Sequence, residues 1–221
     1  MLRARRYRAF HHQRSLAEYA SDKVLHVGDM AIAWEESPPV RLLDDYLDDD
    51  LSHVQVQDFK CVFFDGQSPI GGASFRTFGF VEEVSLEKFI DDADQTSQAA
   101  YELAIGLGQT ADELMQIDTY SPGMRFVEFQ RLEILPDQAN GKWAKLANAF
   151  IDCRFSLNCV AMVLCPYPLE FELDSDKQEL TEQEMEGMVR RREAMVRYYQ
   201  KTLGVSLTVS GGARWWMGRL L

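Results

Sequence analysis

The order of secondary-structure signals predicts an α/β fold with a mixed, mostly antiparallel central sheet flanked by helices. In the first half, apolar runs at 59–64 and 70–78 flank an Asp-Gly-Gln turn at 65–67, a pattern typical of a β-hairpin. In the second half, a strand over 125–135 is followed by a helix over 141–156 and by another strand. Hairpins give antiparallel neighbours, whereas a helix between two strands allows them to run parallel, so one sheet contains both directions.

The remaining elements of the first half follow from periodicity and from breakers. Residues 97–117 carry apolar side chains on one helical face, and Gly106 and Gly108 are expected to break or bend that helix. Pro69 is expected to lengthen the hairpin loop. The other predicted elements are a short helix over 13–22, a loosely alternating strand over 23–34, a short acidic helix over 41–52 and a helix over 85–95.

The second half has the stronger signals. Thr181 and Glu184 have the spacing of a capping box, which predicts a helix from there to about residue 201. The helix over 141–156 has an apolar stripe whose predicted buried residues are Trp143, Leu146, Ala147, Phe150 and Ile151. The other predicted elements are a buried strand over 159–165, an acidic connector over 168–180, and a closing hairpin of strands 205–209 and 214–220.

Composition is that of a single globular domain, predicted to span residues 1–221. Hydrophobic residues make up 46% of the chain, which suffices for one core. No apolar run approaches the roughly 20 residues of a membrane helix, so no contact with a membrane is expected. The four cysteines form no CxxC pair, so reduced, mostly buried thiols and a cytoplasmic location are expected. The histidines lack ligand-like spacing, and no metal site is predicted.

The net charge of −12 is concentrated in one part of the chain. Residues 40–124 hold 17 acidic and 4 basic side chains. Such a region repels nucleic acid and attracts cations, and it suits either a solvated acidic surface or an acidic entrance for an amine substrate. The first 20 residues contain five arginines. A basic first helix accounts for them, with a transit peptide or a nucleic-acid-binding arm as the alternatives.

An anion site is predicted where the strand over 125–135 gives way to the following helix. A short polar turn containing Asn140 and Gly141 separates the two elements. The first backbone N–H groups of a helix have no partner within the helix, and the helix dipole favours negative charge at that end. A strand, a tight glycine-containing loop and a helix start together therefore indicate anion binding.

Three segments, in this order, resemble the GNAT superfamily of N-acetyltransferases over roughly residues 55–79 and 125–221. The early hairpin resembles the second and third core strands of that family. Residues 127–151 resemble its acyl-CoA motif, with Gln138 and Gly141 at the first two positions of the phosphate signature. The end of the last helix and the closing hairpin resemble the family's C-terminal elements. The fold implied is acyl-CoA N-acyltransferase-like.

The resemblance implies acetyl-CoA, or another acyl-CoA, as co-substrate, with its pyrophosphate at the helix start. Trp143 departs from the family pattern, which has a small residue where the backbone approaches the pyrophosphate. Its indole either obstructs that approach or turns inward as a core anchor. A splayed strand pair would hold the pantetheine, with residues 162–165 on the second strand. The implied cofactor-binding residues are Leu132, Ile134, Leu135, Gln138, Ala139, Asn140, Gly141, Lys142, Trp143 and Ala144.

The implied activity is an N-acetyltransferase reaction in which a primary amine attacks the thioester directly. The amine must lose a proton, and Glu128 is the expected base, directly or through a water. Strand alternation predicts that Glu128 points to the same side as Ile134 and that Glu133 points to the other. The alternative for Glu128 is a structural ion pair with Arg125 or Arg131 across the sheet.

The same resemblance implies the groups that complete the reaction. Tyr199 is the expected acid for the departing thiolate, with Tyr198 as the fallback, because one extra residue separates Tyr199 from Gly204 relative to the family pattern. Helix packing is the structural alternative for both tyrosines. A backbone N–H near Ile134 or Leu135 is expected to hold the thioester oxygen.

Residues 80–124 exceed the link that compact family members have between their third and fourth core strands, so a helical insertion is expected there. Its acidic surplus suits a cationic amine acceptor, either a small molecule or a lysine side chain of a protein. The segment equally suits the surface of a homodimer. A catalytically silent acyl-CoA-binding or protein-interaction module on the same fold is the alternative function.

Overall fold

A computed structural model describes residues 14–41, 53–96, 98–138, 141–166, 181–209 and 215–221. Within these residues the chain is a mixed α/β structure with a mostly antiparallel central sheet. Its α-helices are α1 (Leu86–Thr96), α2 (Gln98–Met115), α3 (Lys142–Arg154) and α4 (Glu182–Leu203). Its strands are β1 (Val24–Val27), β2 (Met30–Glu36), β3 (Val40–Arg41), β4 (Val54–Asp65), β5 (Ser68–Phe80), β6 (Val84–Ser85), β7 (Thr119–Tyr120), β8 (Arg125–Ile134), β9 (Ala161–Leu164), β10 (Ser206–Val209) and β11 (Trp216–Leu220).

Nine of the described strands form one sheet in the order β1-β2-β4-β5-β8-β9-β11-β10, with β3 beside β4. Its paired strands are antiparallel except β8 and β9, which run parallel because α3 connects them. Strands β6 and β7 form a separate short ladder. The hairpin β4–β5, the pair β8–β9 and the closing hairpin β10–β11 are therefore neighbours in one sheet.

Helices cover both faces of this sheet. On one, the α3–α4 face, the core includes Phe75 of β5 and Phe150 of α3. On the other, the α1–α2 face, the core includes Phe78 of β5 and Leu107 of α2. Because successive side chains of a strand point to opposite faces, a strand covered on both sides needs apolar residues at both parities, as β5 has.

The predicted helices over 85–95, 97–117, 141–156 and 181–201 are confirmed as α1 to α4. The capping box of α4 is also confirmed. The Thr181 hydroxyl accepts from the N–H of Glu184 at 3.3 Å, and the Glu184 carboxylate accepts from the N–H of Thr181 at 2.9 Å. The five residues that α3 buries are those of its predicted apolar stripe.

Several first-half predictions are wrong in detail. The single strand over 23–34 is instead the hairpin β1–β2, which turns at Gly28 with φ +65°. The helix over 13–22 is instead two short 3₁₀ turns. Pro69 does not lengthen the hairpin loop. It lies in β5 opposite Phe64, where a register shift accommodates a residue that has no N–H to donate.

Helix α2 is continuous through Gly106 and Gly108, so the predicted break is wrong. A Cβ at Gly106 would lie 2.2 Å from the ring of Trp216, and a Cβ at Gly108 would lie 2.3 Å from the end of Leu86. The two glycines therefore allow α2 to lie close to β11 and to the start of α1, and this packing outweighs their low helix propensity.

The cysteine prediction holds for three of the four thiols. Cys61 and Cys159 are buried and Cys165 is partly buried, whereas Cys153 on α3 is exposed. The segments 42–52 and 168–180 lie outside the described residues, and with them the predicted acidic connector and nearly all of the predicted acidic helix.

Candidate functional site

The site predicted near the end of β8 lies where this strand and β9 part. Their parallel ladder ends at the pair Phe129 and Leu164. Strand β8 continues to Ile134 and stays paired with β5 throughout. Within the described part of the chain, no strand flanks these last residues of β8 on the other side. We call this place, between the end of β8 and the end of β9, the wedge.

A β-bulge at Gln130 marks the start of the wedge. In the β5–β8 ladder, Ser74 lies opposite Arg131 and Phe75 lies opposite Phe129, so Gln130 is the extra residue. A bulge of this kind shifts the alternation of side chains along its strand by one position.

The bulge overturns the predicted orientation of Glu128. Apolar residues of β8 on both sides of the bulge pack against the core of the α3–α4 face: Val127, Phe129, Leu132 and Ile134. Glu128 alternates with the first two, so it points to the α1–α2 face. The prediction that Glu128 shares a side with Ile134 is therefore wrong, because it assumed unbroken alternation. Glu133 lies on the same face as Glu128.

Backbone N–H groups of β8 face the wedge at alternate positions. The N–H of Leu135 donates to the carbonyl of Ile70 at 3.0 Å, and Gly71 lies opposite Ile134. Because hydrogen-bonded and non-hydrogen-bonded pairs alternate in an antiparallel ladder, Ile134 turns its N–H away from β5. Leu132, two residues earlier, does the same. Of the two amides expected to hold a thioester oxygen, that of Ile134 faces the wedge and that of Leu135 does not.

The predicted anion site begins at Gly141, the N-cap of α3. Its backbone is left-handed, with φ +81°. A Cβ added to it would meet no atom within 4 Å apart from those of its chain neighbours. Gly141 has no side chain to cap the first turn, and the helix dipole makes this end of α3 positive. Lys142 adds an ammonium group, which is paired with the carboxylate of Asp65 at the β4–β5 turn.

The loop before this helix is only partly described. Gln138 ends a 3₁₀ turn, and its N–H donates to the carbonyl of Leu135 at 2.8 Å. Its side-chain amide lies 3.5 Å from the carboxylate of Asp137. Ala139 and Asn140 lie outside the described residues, whereas Ala144 is partly buried against the core of the α3–α4 face.

The indole of Trp143 turns inward. The side chain is 3% exposed and belongs to the core of the α3–α4 face. Its Nε1 donates to the hydroxyl of Tyr198 at 3.0 Å, and its ring lies edge-on to that of Tyr199 at 6.5 Å. Of the two orientations that the sequence left open, the structure has the core anchor, so the indole does not cover the start of α3.

The two tyrosines of α4 lie beside the first turn of α3 in different environments. Tyr198 is 42% exposed, whereas Tyr199 is partly buried against the core of the α3–α4 face. Burial, with a smaller contribution from Tyr198, raises the pKa of Tyr199 to about 12. The phenol of Tyr199 therefore keeps its proton throughout the neutral range.

Glu128 has polar neighbours on two strands. The amide of Gln130 donates to its carboxylate at 3.1 Å, and Arg76 of β5 lies directly opposite. Arg131, one of the ion-pair partners considered from the sequence, instead pairs with Glu133 at 2.6 Å. The cationic residue across the sheet from Glu128 is thus Arg76, which was not expected.

Arg76 and its partner Asp58 are residues that sequence reasoning missed. They lie opposite each other in the β4–β5 hairpin. Aligning the apolar alternation of the two strands, with Phe59 opposite Phe75, gives this register, whereas counting from the turn misses the register shift near Phe64. The relevant signal was therefore cross-strand alignment rather than spacing along one strand.

A separate cavity of about 480 Å³ lies beside α1, away from the wedge. It combines acidic and apolar side chains with two hydroxyls, from Ser85, Leu86, Glu87, Ile90, Asp91, Asp118 and Thr119. Among the described residues, no three or more His, Cys, Asp or Glu side chains converge as metal ligands. None of the described helices has the length and apolar character needed to cross a membrane.

Comparison with known proteins adds little. No protein-family model and no curated protein matches this chain. Among solved structures, the chain is similar to a mutant agmatine N-acetyltransferase in its apo form, with 9% sequence identity and a TM-score of 0.32. The match covers 73% of this chain and 76% of that one. A likeness at this level says nothing about activity.

Proposed function

We propose that this chain is an acyl-CoA-dependent N-acyltransferase that transfers an acyl group, most simply acetyl, from the thioester to a primary amine. The observation that carries the proposal is the wedge beside β8, which is followed directly by the glycine-capped start of α3. The wedge has an apolar side and inward-facing N–H groups, and the helix start favours an anion. A long thioester with a pyrophosphate at its far end fits this order of groups.

The residues at the helix start fit a phosphate-bearing acyl donor. Gly141 has no side chain to hinder the approach of phosphate, and the next residue, Lys142, carries an ammonium group that is paired with Asp65. Leu132 and Ile134 are partly buried along the wedge and suit contact with a pantetheine arm. The other residues assigned to donor binding are Leu135, Gln138, Ala139, Asn140, Trp143 and Ala144, with the indole of Trp143 supporting the site from within the core.

The thioester supplies the acyl carbon and a thiolate leaving group. Glu128 accepts the proton of the attacking amine, directly or through a water. It lies one residue before the last pair of the β8–β9 ladder, close to the start of the wedge. The N–H groups of Leu132 and Ile134 donate to the acyl oxygen as negative charge develops there. As the N–C bond forms, the C–S bond breaks, and Tyr199 donates to the sulfur.

Tyr199 suits the acid role because its burial keeps the phenol protonated, with a pKa of about 12. A group so weakly acidic serves best as a hydrogen-bond donor to the departing sulfur, with solvent supplying the final proton. Tyr198 remains the fallback. Its hydroxyl oxygen already accepts from Trp143, although it can still donate its own proton elsewhere.

The acceptor is a cationic amine, either a small molecule or a protein lysine, in this proposal. Glu128 faces the α1–α2 face, whereas α3 and its anion site belong to the α3–α4 face. Donor and acceptor would therefore approach from opposite faces of the sheet. The helical segment 80–124 and its acidic surplus then border the acceptor side, within one domain formed by residues 1–221.

Donor binding is tested first, by thermal unfolding with and without saturating acetyl-CoA. A ligand at 100 times its dissociation constant stabilises the native state by about 2.7 kcal/mol. Gly141→Ala should reduce this gain, because a Cβ enters the phosphate approach. Gly123→Ala is the matched control, since Gly123 also has a left-handed backbone with no atom near its Cβ position. Equal gains in both variants, or no gain in the native protein, would contradict the proposal.

Catalysis is tested by thiol release from acetyl-CoA across a panel of polyamines, amino sugars and lysine peptides. Glu128→Gln should lower the rate by about 10²–10⁴-fold, as loss of a general base does. Glu133→Gln is the control, because that carboxylate lies on the same strand and face but pairs with Arg131. Binding of acetyl-CoA without thiol release for any amine would support the silent acyl-CoA-binding module instead.

A further inference from the structure

We propose that Arg76 is a positioning residue for Glu128, and that Asp58, Arg76 and Glu128 form a charge row that sets the pH range in which Glu128 can act as a base. The catalytic consequence rests on the function proposed above. The electrostatic arrangement itself does not, because it follows from the register of three neighbouring strands.

The charge row crosses the sheet at right angles to the strands. Asp58 of β4 lies opposite Arg76 of β5, which lies opposite Glu128 of β8. The guanidinium of Arg76 donates from Nε and Nη2 to the two carboxylate oxygens of Asp58, at 2.6 Å and 3.2 Å. The hydrogen bond to Asp58, then the charges of Asp58 and Glu128, hold the pKa of Arg76 above its ordinary value. Arg76 thus hydrogen-bonds the carboxylate of Asp58 and lies across the ladder from that of Glu128.

The charge row lies at the edge of the helix cover on its face of the sheet. The preceding row on the same face, Val56, Phe78 and Phe126, is buried in the core beneath α1 and α2. The charge row lies just beyond this cover and is partly exposed. Its side chains therefore border an apolar region, where charges interact more strongly than in bulk water.

Among the described residues, those in the neighbouring positions of the sheet do not replace Arg76. On the β9 side the facing residue is Val163, which carries no charge. In the next row of the same face, Lys60 and Arg131 both lie opposite Ser74. Lys60 is exposed and two strands away from β8, and Arg131 is paired with Glu133. Among the described residues, Arg76 is the cation directly across the ladder from Glu128.

Charge removal at Arg76 and charge removal at Asp58 give opposite expectations for the titration of Glu128. Removing the charge of Arg76 takes away the cation opposite Glu128 and leaves the carboxylate of Asp58 two strands away, and both changes favour protonation of Glu128. Removing the charge of Asp58 leaves the whole positive charge of Arg76 to Glu128, which favours the carboxylate. A side chain that only supports the fold would not shift the titration of Glu128 in opposite directions on these two substitutions.

The direct test is a carbon-13 NMR titration of the Glu128 carboxyl in the protein without ligands. Arg76→Gln should move its midpoint up by about one pH unit, and Asp58→Asn should move it down. Arg131→Gln is the matched control and should move it less than Arg76→Gln. No movement, or movement in the same direction in both variants, would overturn the inference. This titration needs no acceptor, so it decides the inference even if no amine is acylated.

The kinetic test uses the pH profile of acetyl transfer with any amine that the panel identifies. Arg76→Gln should move the acidic limb of kcat/KM to higher pH, Asp58→Asn should move it to lower pH, and Arg76→Lys should restore part of the shift. The KM for acetyl-CoA should stay unchanged in all three, since the charge row lies on the acceptor face. An acidic limb that stays in place in both charge-removing variants would contradict the role of Arg76.

Discussion

The two faces of the sheet differ in how far their apolar packing extends. On the α3–α4 face, aromatic contact continues across several strands, with the ring of Phe150 in contact with those of Trp34, Phe59, Phe75 and Phe155. On the α1–α2 face, the aromatic cluster lies under α1 and α2, and the next row of residues is charged. Apolar packing is continuous on the α3–α4 face. On the α1–α2 face it is interrupted by the charge row, and we call this face the divided face.

This difference shows how helix cover decides where charge can be placed. A strand residue beneath a helix must be apolar, since an unpaired buried charge is costly. Just beyond the helix, the same face can carry carboxylates that keep some contact with water. In the proposed reaction, the donor lies against the continuous face, and the proton is taken up on the divided face.

The largest expected effect tests whether the α3–α4 face is the more continuous core. Phe150→Ala should cost about 3–5 kcal/mol of unfolding free energy, because it removes a ring shared by four aromatic neighbours. Phe126→Ala on the divided face should fall at the lower end of this range, since Phe126 has ring contacts with Phe80 and Tyr120. Urea unfolding measures both. A larger loss for Phe126→Ala would reverse the comparison.

The next effect tests how tightly α2 lies on the divided face. Gly106→Ala should destabilise by about 1–3 kcal/mol, because its Cβ meets the rigid ring of Trp216. Gly108→Ala is the matched control. Its Cβ meets the end of the Leu86 side chain, which can rotate, and the gain of about 1 kcal/mol in helix propensity offsets that contact. Equal losses in the two variants, measured by thermal unfolding, would show that the ring of Trp216 also moves to make room for the added Cβ.

Much of the fold could be predicted from local sequence patterns. The four helices follow from apolar periodicity and from the capping box at Thr181, because these signals depend on residues a few positions apart. The β1–β2 hairpin was missed although Gly28 and Asp29 are typical turn residues. The continuity of α2 depends on Trp216, more than a hundred residues away, so no local pattern could reveal it.

The candidate site was predictable as a place but not in its orientation. The helix start at Gly141 followed from the order of strand, loop and helix. The bulge at Gln130 changed which face Glu128 occupies. Its signal was present, because Val127 and Phe129 are two apart, whereas Leu132 follows Phe129 by three positions and Ile134 follows Leu132 by two. The partner Arg76 depends on strand pairing, which spacing along one strand does not encode.

A smaller effect concerns the one polar link described between the rings beside the wedge. Trp143→Phe and Tyr198→Phe each remove the hydrogen bond between indole and phenol, which is worth about 1 kcal/mol. A double-mutant cycle isolates this coupling from the change in ring size. A cycle that pairs Trp143→Phe with Tyr199→Phe is the control, and we expect a smaller coupling there. Equal coupling in both cycles would show that ring packing, not the hydrogen bond, joins α3 to α4.

The smallest effect tests the buried polar residues of the divided face through pH. His53 is 3% exposed, and burial lowers its pKa from the ordinary 6.5, although the nearby carboxylate of Asp92, 3.9 Å from Nδ1, opposes this. The charge of Lys88 also lowers the pKa of His53, and the charge of Glu82 raises it. The imidazole of His53 binds its proton more tightly in the unfolded chain than in the folded one. Its contribution to the free energy of unfolding is therefore fully present above pH 6.5 and is lost as the pH drops toward the folded pKa.

His53→Gln should therefore flatten the dependence of unfolding free energy on pH below 6.5, whereas substitution of the exposed His26 by glutamine should leave the slope unchanged. Urea unfolding in steps from pH 7 to pH 5 measures both. If the slope survives in His53→Gln, carboxylates rather than this histidine cause the acid sensitivity. The packing of His53 against Phe89 would then account for its place in the core. The contrast between the two faces would rest on the partly exposed charge row alone.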